Sequence, residues 1–276
     1  MKFSIVTPNR NGERFLEEAI RSVLSQKEDD IDIEYILIDG ASTDGSLEII
    51  KKYRSQISIL ISEPDSGPVN AINKGLRIAT GDIVAWLNAD DRYHSHALKR
   101  ISKGFADHPE KALCFGRCRI VNEEGKEIRR WITRFKEVFF PLSSWFTIQC
   151  LNFVSQPTLF FTRKAMEAAG PLREDLVAAW DYDFVLRLWK NGEAICLKDM
   201  MPIADFRWHN ASISGKNFMI QFKEEVEAAK EHAGPLAPQT LIHYCIRWGI
   251  IGIYFLMAYL RARNTDGDLL SRSIPK

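Results

Sequence analysis

No charge of either sign dominates this 276-residue sequence: 37 Lys and Arg stand against 36 Asp and Glu, a formal charge of +1. So balanced a chain has no field that would draw it to nucleic acid as its main partner. Cysteine is scarce and scattered. Cys114, Cys118, Cys150, Cys196 and Cys245 lack the two close pairs of a zinc site and the even count of a disulfide framework, so free thiols in a reducing compartment are expected. No G-x-G-x-x-G follows the first strand, which argues against a dinucleotide-dependent oxidoreductase, and no G-x-x-x-x-G-K-S/T supports a P-loop ATPase. Met1-Lys2 leads directly into Phe3-Ser4-Ile5-Val6 without a signal-peptide pattern, and a cytoplasmic protein is expected.

What is present is an ordinary globular composition, 46% hydrophobic, in a chain long enough for one large α/β domain with an appendage. Phe3 to Thr7 reads as a strand stopped by Pro8, followed by a helix from Glu13 with Leu16, Ala19, Ile20 and Val23 on one stripe. Tyr35 to Ile38 is a second strand ending at Asp39, and a helix runs on to Tyr53. Ile57 to Ile61 is a third strand. A helix carrying Ala71, Ile72 and Leu76 then leads to the buried strand Ile83 to Leu87. This alternation predicts a Rossmann-like, mostly parallel sheet flanked by helices. Its strand ends, Thr7 to Asn11, Asp39, Glu63 to Gly67 and Asn88 to Asp91, should share one crevice. The adjacent acids Asp90 and Asp91 suit a hard divalent cation that also binds substrate phosphates, although a solvated turn would use the same residues.

Several ordered motifs then carry a resemblance. Ser4-Ile5-Val6-Thr7-Pro8 with Asn11, Ile38-Asp39-Gly40-Ala41-Ser42-Thr43-Asp44-Gly45, Glu63-Pro64-Asp65-Ser66-Gly67 and Leu87-Asn88-Ala89-Asp90-Asp91 resemble those of family 2 glycosyltransferases. The likeness runs from Lys2 to about Ser214. It implies a GT-A fold, a nucleoside-diphosphate sugar donor and a divalent cation, Mn2+ or Mg2+. On that pattern Thr7, Pro8 and Asn11 lie under the nucleotide, Asp39 accepts from the base, Asp90 contacts ribose or the donor sugar, and Asp91 binds the metal. Gly67, Asn73, Lys74 and Asn88 complete the donor-binding set. Asp39 suits the imide of uracil, which favours UDP. Asp39 could also simply end its strand, and Lys74 could be a solvated lysine on a helix face.

In the second half, His96 to His108 reads as a helix. Ala112 to Val121 is strand-like, and Asn122-Glu123-Glu124-Gly125 turns it into a hairpin with Ile128 to Thr133. The aromatic-rich stretch 135–153 fits a lid or part of the core. Ala179-Trp180-Asp181-Tyr182-Asp183 opens a helix and resembles the family's acidic motif, which makes Asp181 the catalytic base; Asp183 reads as a favourable helix-dipole acid. His209 in Arg207-Trp208-His209 resembles a later segment whose His completes the metal site. Gln156 and Trp180 are candidate acceptor contacts, and Trp180 fits the core equally well. Inverting transfer needs a base for the acceptor hydroxyl and charge stabilisation for the departing diphosphate, and Asp181 and Asp91 supply the two roles.

The expected organisation is a glycosyltransferase domain over 1–216, with a nucleotide-sugar half (1–95) and an acceptor half (96–216), followed by a C-terminal helical segment over 217–276. Within 240–263 the apolar run is too short to span a membrane. Trp248, Tyr254, Tyr259 and the terminal arginines fit an interfacial helix at the inner face of the membrane, and packing on the body or in a homodimer fits as well. The resemblance implies a glycan or lipid-linked acceptor in cell-surface polysaccharide or glycolipid assembly. The rival readings are a non-catalytic sugar-nucleotide or glycan-binding module and, lower, a sugar-nucleotide pyrophosphorylase.

Overall fold

The computed structural model describes residues 1–209 and 212–252. In chain order β1 (Lys2–Asn9), α1 (Glu13–Leu24), β2 (Asp32–Asp39), α2 (Ser46–Lys52), β3 (Ile59–Ser62), α3 (Pro68–Ile78) and β4 (Ile83–Trp86) alternate as the sequence predicts. They are followed by β5 (Arg92–Tyr93), α4 (Ala97–Asp107), β6 (Leu113–Phe115), β7 (Cys118–Val121), α5 (Arg130–Glu137), α6 (Trp145–Cys150), β8 (Phe160–Thr162) and α7 (Arg163–Ala169). Last come α8 (Trp180–Lys190), β9 (Ala194–Cys196), β10 (Ala204–Arg207), α9 (Ile213–Lys216) and α10 (Phe218–Ala233), with a further helix over 238–252.

One seven-stranded sheet has the order β3-β2-β1-β4-β8-β6-β9, and a three-stranded sheet has the order β5-β10-β7. All pairs of the larger sheet are parallel except those of β8, which runs antiparallel to β4 and β6. The chain order turns back at β1, between β2 and β4, and in such a sheet the ligand crevice opens beyond the carboxyl ends at that reversal. Alternation along the central strands fills two cores. Phe3, Ile5, Tyr35, Leu37, Ile83 and Ala85 face α1 and α4, whereas Val6, Ile36, Ile38, Val84 and Trp86 face α3 and α8. Helix α3 lies so close to β1 that a side chain at Gly75 would overlap Val6.

Three expectations are corrected, and one left open is narrowed. Pro8 does not stop β1, which continues to Asn9. The Val6 carbonyl accepts from Leu87 N, so Pro8, two residues on, directs its missing N–H to that same side, past the end of the β1–β4 ladder. The strand expected over Ala112 to Val121 divides at Gly116-Arg117 into β6 and β7, which belong to different sheets. The turn at Asn122 forms, with Gly125 N bonded to Asn122 O, but pairing ends at Ile128 and a left-handed Arg129 (φ 54°) starts α5 where a strand was expected. The stretch 135–153 is helical, with Phe140, Ile148 and Phe153 buried in the core while Phe135 and Phe146 stay exposed.

Helix α10 packs on α6 and α8, and the helix over 238–252 buries Thr240, His243 and Ile251 while exposing Leu241, Ile242 and Trp248. The rest of 240–263 lies outside the described residues. Among the described residues no helix is long and apolar enough to cross a membrane.

Candidate functional site

The ends of β1, β2 and β3 are tied by one carboxylate. Asp39, fully buried, accepts from Asn9 Nδ2 (2.8 Å), Ser42 Oγ (2.5 Å), Ser42 N (3.0 Å) and Ser62 Oγ (2.9 Å). Burial works against its charge, but these bonds win and hold the carboxyl below its usual range. Asp39, expected to accept from a base, is engaged here by four donors of the loop wall. Asn11 accepts from Thr43 N (2.8 Å) and adopts φ 53°, bending the first loop over Ser42. Thr7 is buried, its Oγ1 accepting from Tyr35 OH at 3.2 Å, and Pro8 is buried too. These two form the floor of the crevice from beneath.

At the start of α3, Gly67 (φ 135°) provides a turn in which its N–H donates to Asp65 Oδ1, 3.0 Å away. Lys74 reaches back to Glu63 (2.7 Å) and the Pro64 carbonyl (3.3 Å), which places an ammonium group against the 63–67 loop. Asn73 does not face the crevice. It is buried and exchanges two hydrogen bonds with the Leu172 backbone (2.9 and 2.8 Å), so its side chain holds the acceptor half to α3 rather than a donor.

Beyond β4 the two adjacent acids part company. Asp91 is 1% exposed and accepts from Arg207 N (2.8 Å) and Asn88 Nδ2 (3.3 Å). Burial first, and the Asp90 charge second, push its carboxyl well above the usual range. Asp90 is partly exposed, and its Oδ2 lies 3.0 Å from His209 Nε2. His209 thus lies beside Asp90, whereas Asp91, expected to share a metal with it, accepts from the Arg207 backbone. Phe15 flanks the His209 ring, with centroids 5.6 Å apart.

This rim is carried by ion pairs that sequence reasoning missed. Arg207 lies over the Phe15 ring and bonds Glu18, the Asp90 carbonyl and the Asn122 and Glu123 carbonyls. Asp205, fully buried, collects Arg92, His94 and Arg119 at 2.7–2.8 Å. Burial opposes its charge, yet the bonds from His94 and Arg119 hold its carboxyl far below the usual range. The available signal was a pair of charges, Asp205 and Arg207, alternating with Ala204 and Phe206 along one strand.

Across from Asn88, Gln156 accepts from its Nδ2 (3.1 Å) and donates to the Trp86 carbonyl (2.9 Å), fixing the end of β4. Trp180 is core: it is 6% exposed and packs on Trp86 with ring centroids 6.0 Å apart, so the acceptor contact expected of it is withdrawn. Asp181, next to it at the start of α8, is half-buried and bonded to Tyr182 N (2.8 Å). Burial and the nearby Glu225 push its carboxyl up to about 6, with Lys136 opposing. Lys136 reaches Val154 O and Ser155 Oγ (each 3.4 Å), and burial lowers its own pKa. Glu225, from α10, is 4% exposed and bonded to Asn152 and Gln221. Asp183, by contrast, is held by Arg187 and His232 and stays below the usual range despite burial.

Asp90 and His209 set a carboxylate beside an imidazole. Among the described residues no group of three or more His, Cys, Asp or Glu that could hold a metal ion occurs.

Residues 4–168 match the model of the family described as glycosyl transferase family 2. An uncharacterized glycosyltransferase of Nostoc sp. is 39% identical over 108 residues, 38% of this chain and 33% of that protein. The poly(ribitol-phosphate) β-N-acetylglucosaminyltransferase TarS of Staphylococcus aureus is 29% identical over 116 residues, 41% of this chain and 20% of its own. The chain thus spans a third or less of the length of these relatives. Among solved structures, TarS 1–349 with UDP-GlcNAc superposes with a TM-score of 0.65 at 19% identity, covering 86% of this chain and 68% of that one. The mannosyltransferase PcManGT of Pyrobaculum calidifontis, with GDP-Man and Mn2+, gives 0.64 at 18% identity over 97% and 80%. The fold is GT-A, and by its sequence this chain belongs to glycosyl transferase family 2.

Proposed function

We propose that this protein is a metal-dependent, inverting glycosyltransferase that moves a sugar from a nucleoside-diphosphate donor to an acceptor hydroxyl in the assembly of a cell-surface polysaccharide or glycolipid. The reading is supported by two unlike carboxylates: Asp90, set beside His209 beyond β4, and Asp181 at the start of α8, its carboxyl raised to about 6 by burial and the nearby Glu225. A base working near neutrality needs such a pKa. Asp181 takes the acceptor proton as the new bond forms, and Lys136 beside it stabilises the carboxylate before transfer.

Asp90 and His209 are the residues that would hold a divalent cation, which when bound offsets charge gathering on the departing diphosphate. Lys74, against the 63–67 loop, would meet the same anion, and Asn11 with Ser42 and Asn9 forms the wall against the base. Asn88 and Gln156 set the depth of the crevice between donor and acceptor. TarS and PcManGT were solved with UDP-GlcNAc and GDP-Man, and UDP is the first nucleotide to test here. The exposed Leu241, Ile242 and Trp248 mark the face of the last helix that would meet an inner-membrane surface or a second copy.

The test is release of nucleoside diphosphate from UDP- and GDP-sugars, with water in the acceptor's place, with and without Mn2+. Release that requires the cation and is lost in Asp90→Asn and His209→Ala supports the reading. Melting raised by UDP with Mn2+ but no release under either condition would instead favour a non-catalytic binding module.

A further inference from the structure

A cavity of about 240 Å³ is lined by Arg117, Arg119, Arg130, Arg134, Glu127 and Glu137 together with Thr133 and Cys118. Four guanidinium groups face two carboxylates there. Arg117 pairs with Glu137 (3.1 Å), Arg130 with Glu127 (3.0 Å) and Arg119 with Asp205 (2.8 Å). Among the described residues Arg134 has no ion pair, and the buried Thr133 Oγ1 has no hydrogen-bond partner. Residues 130, 133, 134 and 137 are spaced i, i+3, i+4 and i+7, so one stripe of α5 faces the cavity. Lys136, off that stripe, turns to Ser155 on the Asp181 side. Helix α5 thus turns one stripe to the cavity and Lys136 to Ser155.

We infer that this cavity is an oxyanion site that takes a phosphate group of the acceptor, a reading that rests on the transferase function proposed above. Arg134 and Arg130, one turn apart, offer two planar forks, and Thr133 adds a hydroxyl donor between them. Arginine forks match phosphate oxygens in pairs. Arg134, the lining guanidinium without an ion pair among the described residues, supplies the positive charge that draws an anion there. Ionic anchoring there would hold the acceptor without touching the reacting hydroxyl.

Calorimetric titration with pyrophosphate, without divalent cation, tests the site in the full chain. Wild-type binding should weaken at least tenfold in Arg134→Gln, about 1.4 kcal/mol, and recover only in part in Arg134→Lys, which keeps charge but not the fork. Melting temperature and Mn2+-dependent donor hydrolysis should stay at wild-type values in both variants. Pyrophosphate affinity unchanged in Arg134→Gln, or no binding by the wild type, overturns the site. Co-sedimentation with phosphatidylcholine vesicles, with and without phosphatidylglycerol, separates the sources: loss in Arg134→Gln of binding to the anionic vesicles assigns the phosphate to a lipid headgroup, and loss of pyrophosphate binding alone assigns it to a water-soluble acceptor. If the wild type hydrolyses no donor yet binds pyrophosphate through Arg134, the transferase reading fails while the anion site stands.

Discussion

Asp39 and Asp205, on the strands, and Asp181, at the start of α8, respond to burial in opposite ways. Asp39 and Asp205 are surrounded by donors and cations and stay ionised against burial, whereas Asp181 sits beside another acid, Glu225, and its carboxyl rises to about 6. The first arrangement locks geometry; the second gives the proposed proton acceptor a pKa near neutrality. Helix packing produces the difference. Strand ends of the sheet gather hydrogen-bond donors from several loops at once, and α10 instead brings a carboxylate against the start of α8.

The largest way to break this comparison is Asp181→Asn, which keeps the shape and removes the proton acceptor. Donor turnover should fall by about 10²–10⁴-fold, with UDP-induced melting shifts unchanged. Next in size, Asp205→Ala would leave Arg92, His94 and Arg119 buried without their counter-charge. A loss of about 3–5 kcal/mol in chemical denaturation is expected, with little recovery in salt because the site is buried. Glu225→Gln sharpens the contrast: removing the like charge should move the acid limb of turnover down by about one unit, worth 1.36 kcal/mol, without altering donor affinity. The sign for stability follows from the same shift. Folded Asp181 holds its proton to a higher pH than the unfolded chain does, so stability should decline as pH rises from the ordinary value of 3.8 through about 6, and this decline should vanish in Asp181→Asn. Smallest is Lys74→Gln, whose ion pair with Glu63 is partly exposed and worth about 0.2–1 kcal/mol to the fold. Its effect should appear as weaker UDP binding with melting nearly unchanged.

Local patterns made the first half readable. Glu13–Leu24 and Pro68–Ile78 show their apolar stripes, and the strands β1 to β4 end in the motifs that mark the crevice. The sequence could not show which of two adjacent acids points outward. Asp90 and Asp91 differ only in what lies opposite, and that is Arg207, 116 residues further along. Asn73 carried a motif match, yet its partner is the Leu172 backbone, contributed by a distant loop. Trp180 and Glu225 were obscured for the same reason: an aromatic and an acid on amphipathic helices reveal their roles only when the facing helix is known. Nor did the strand pattern after Asn122 reveal that Arg129 would turn left-handed and begin a helix.

The measurement that bears most directly on the account is the pH profile of Mn2+-dependent nucleoside diphosphate release, taken from about pH 5 to 8 with wild type and Asp181→Asn side by side. The account predicts a wild-type rate that climbs with one proton lost near pH 6, and a variant that is slow and flat. A wild-type profile without that limb, or a variant that keeps it, would contradict Asp181 as the proton acceptor.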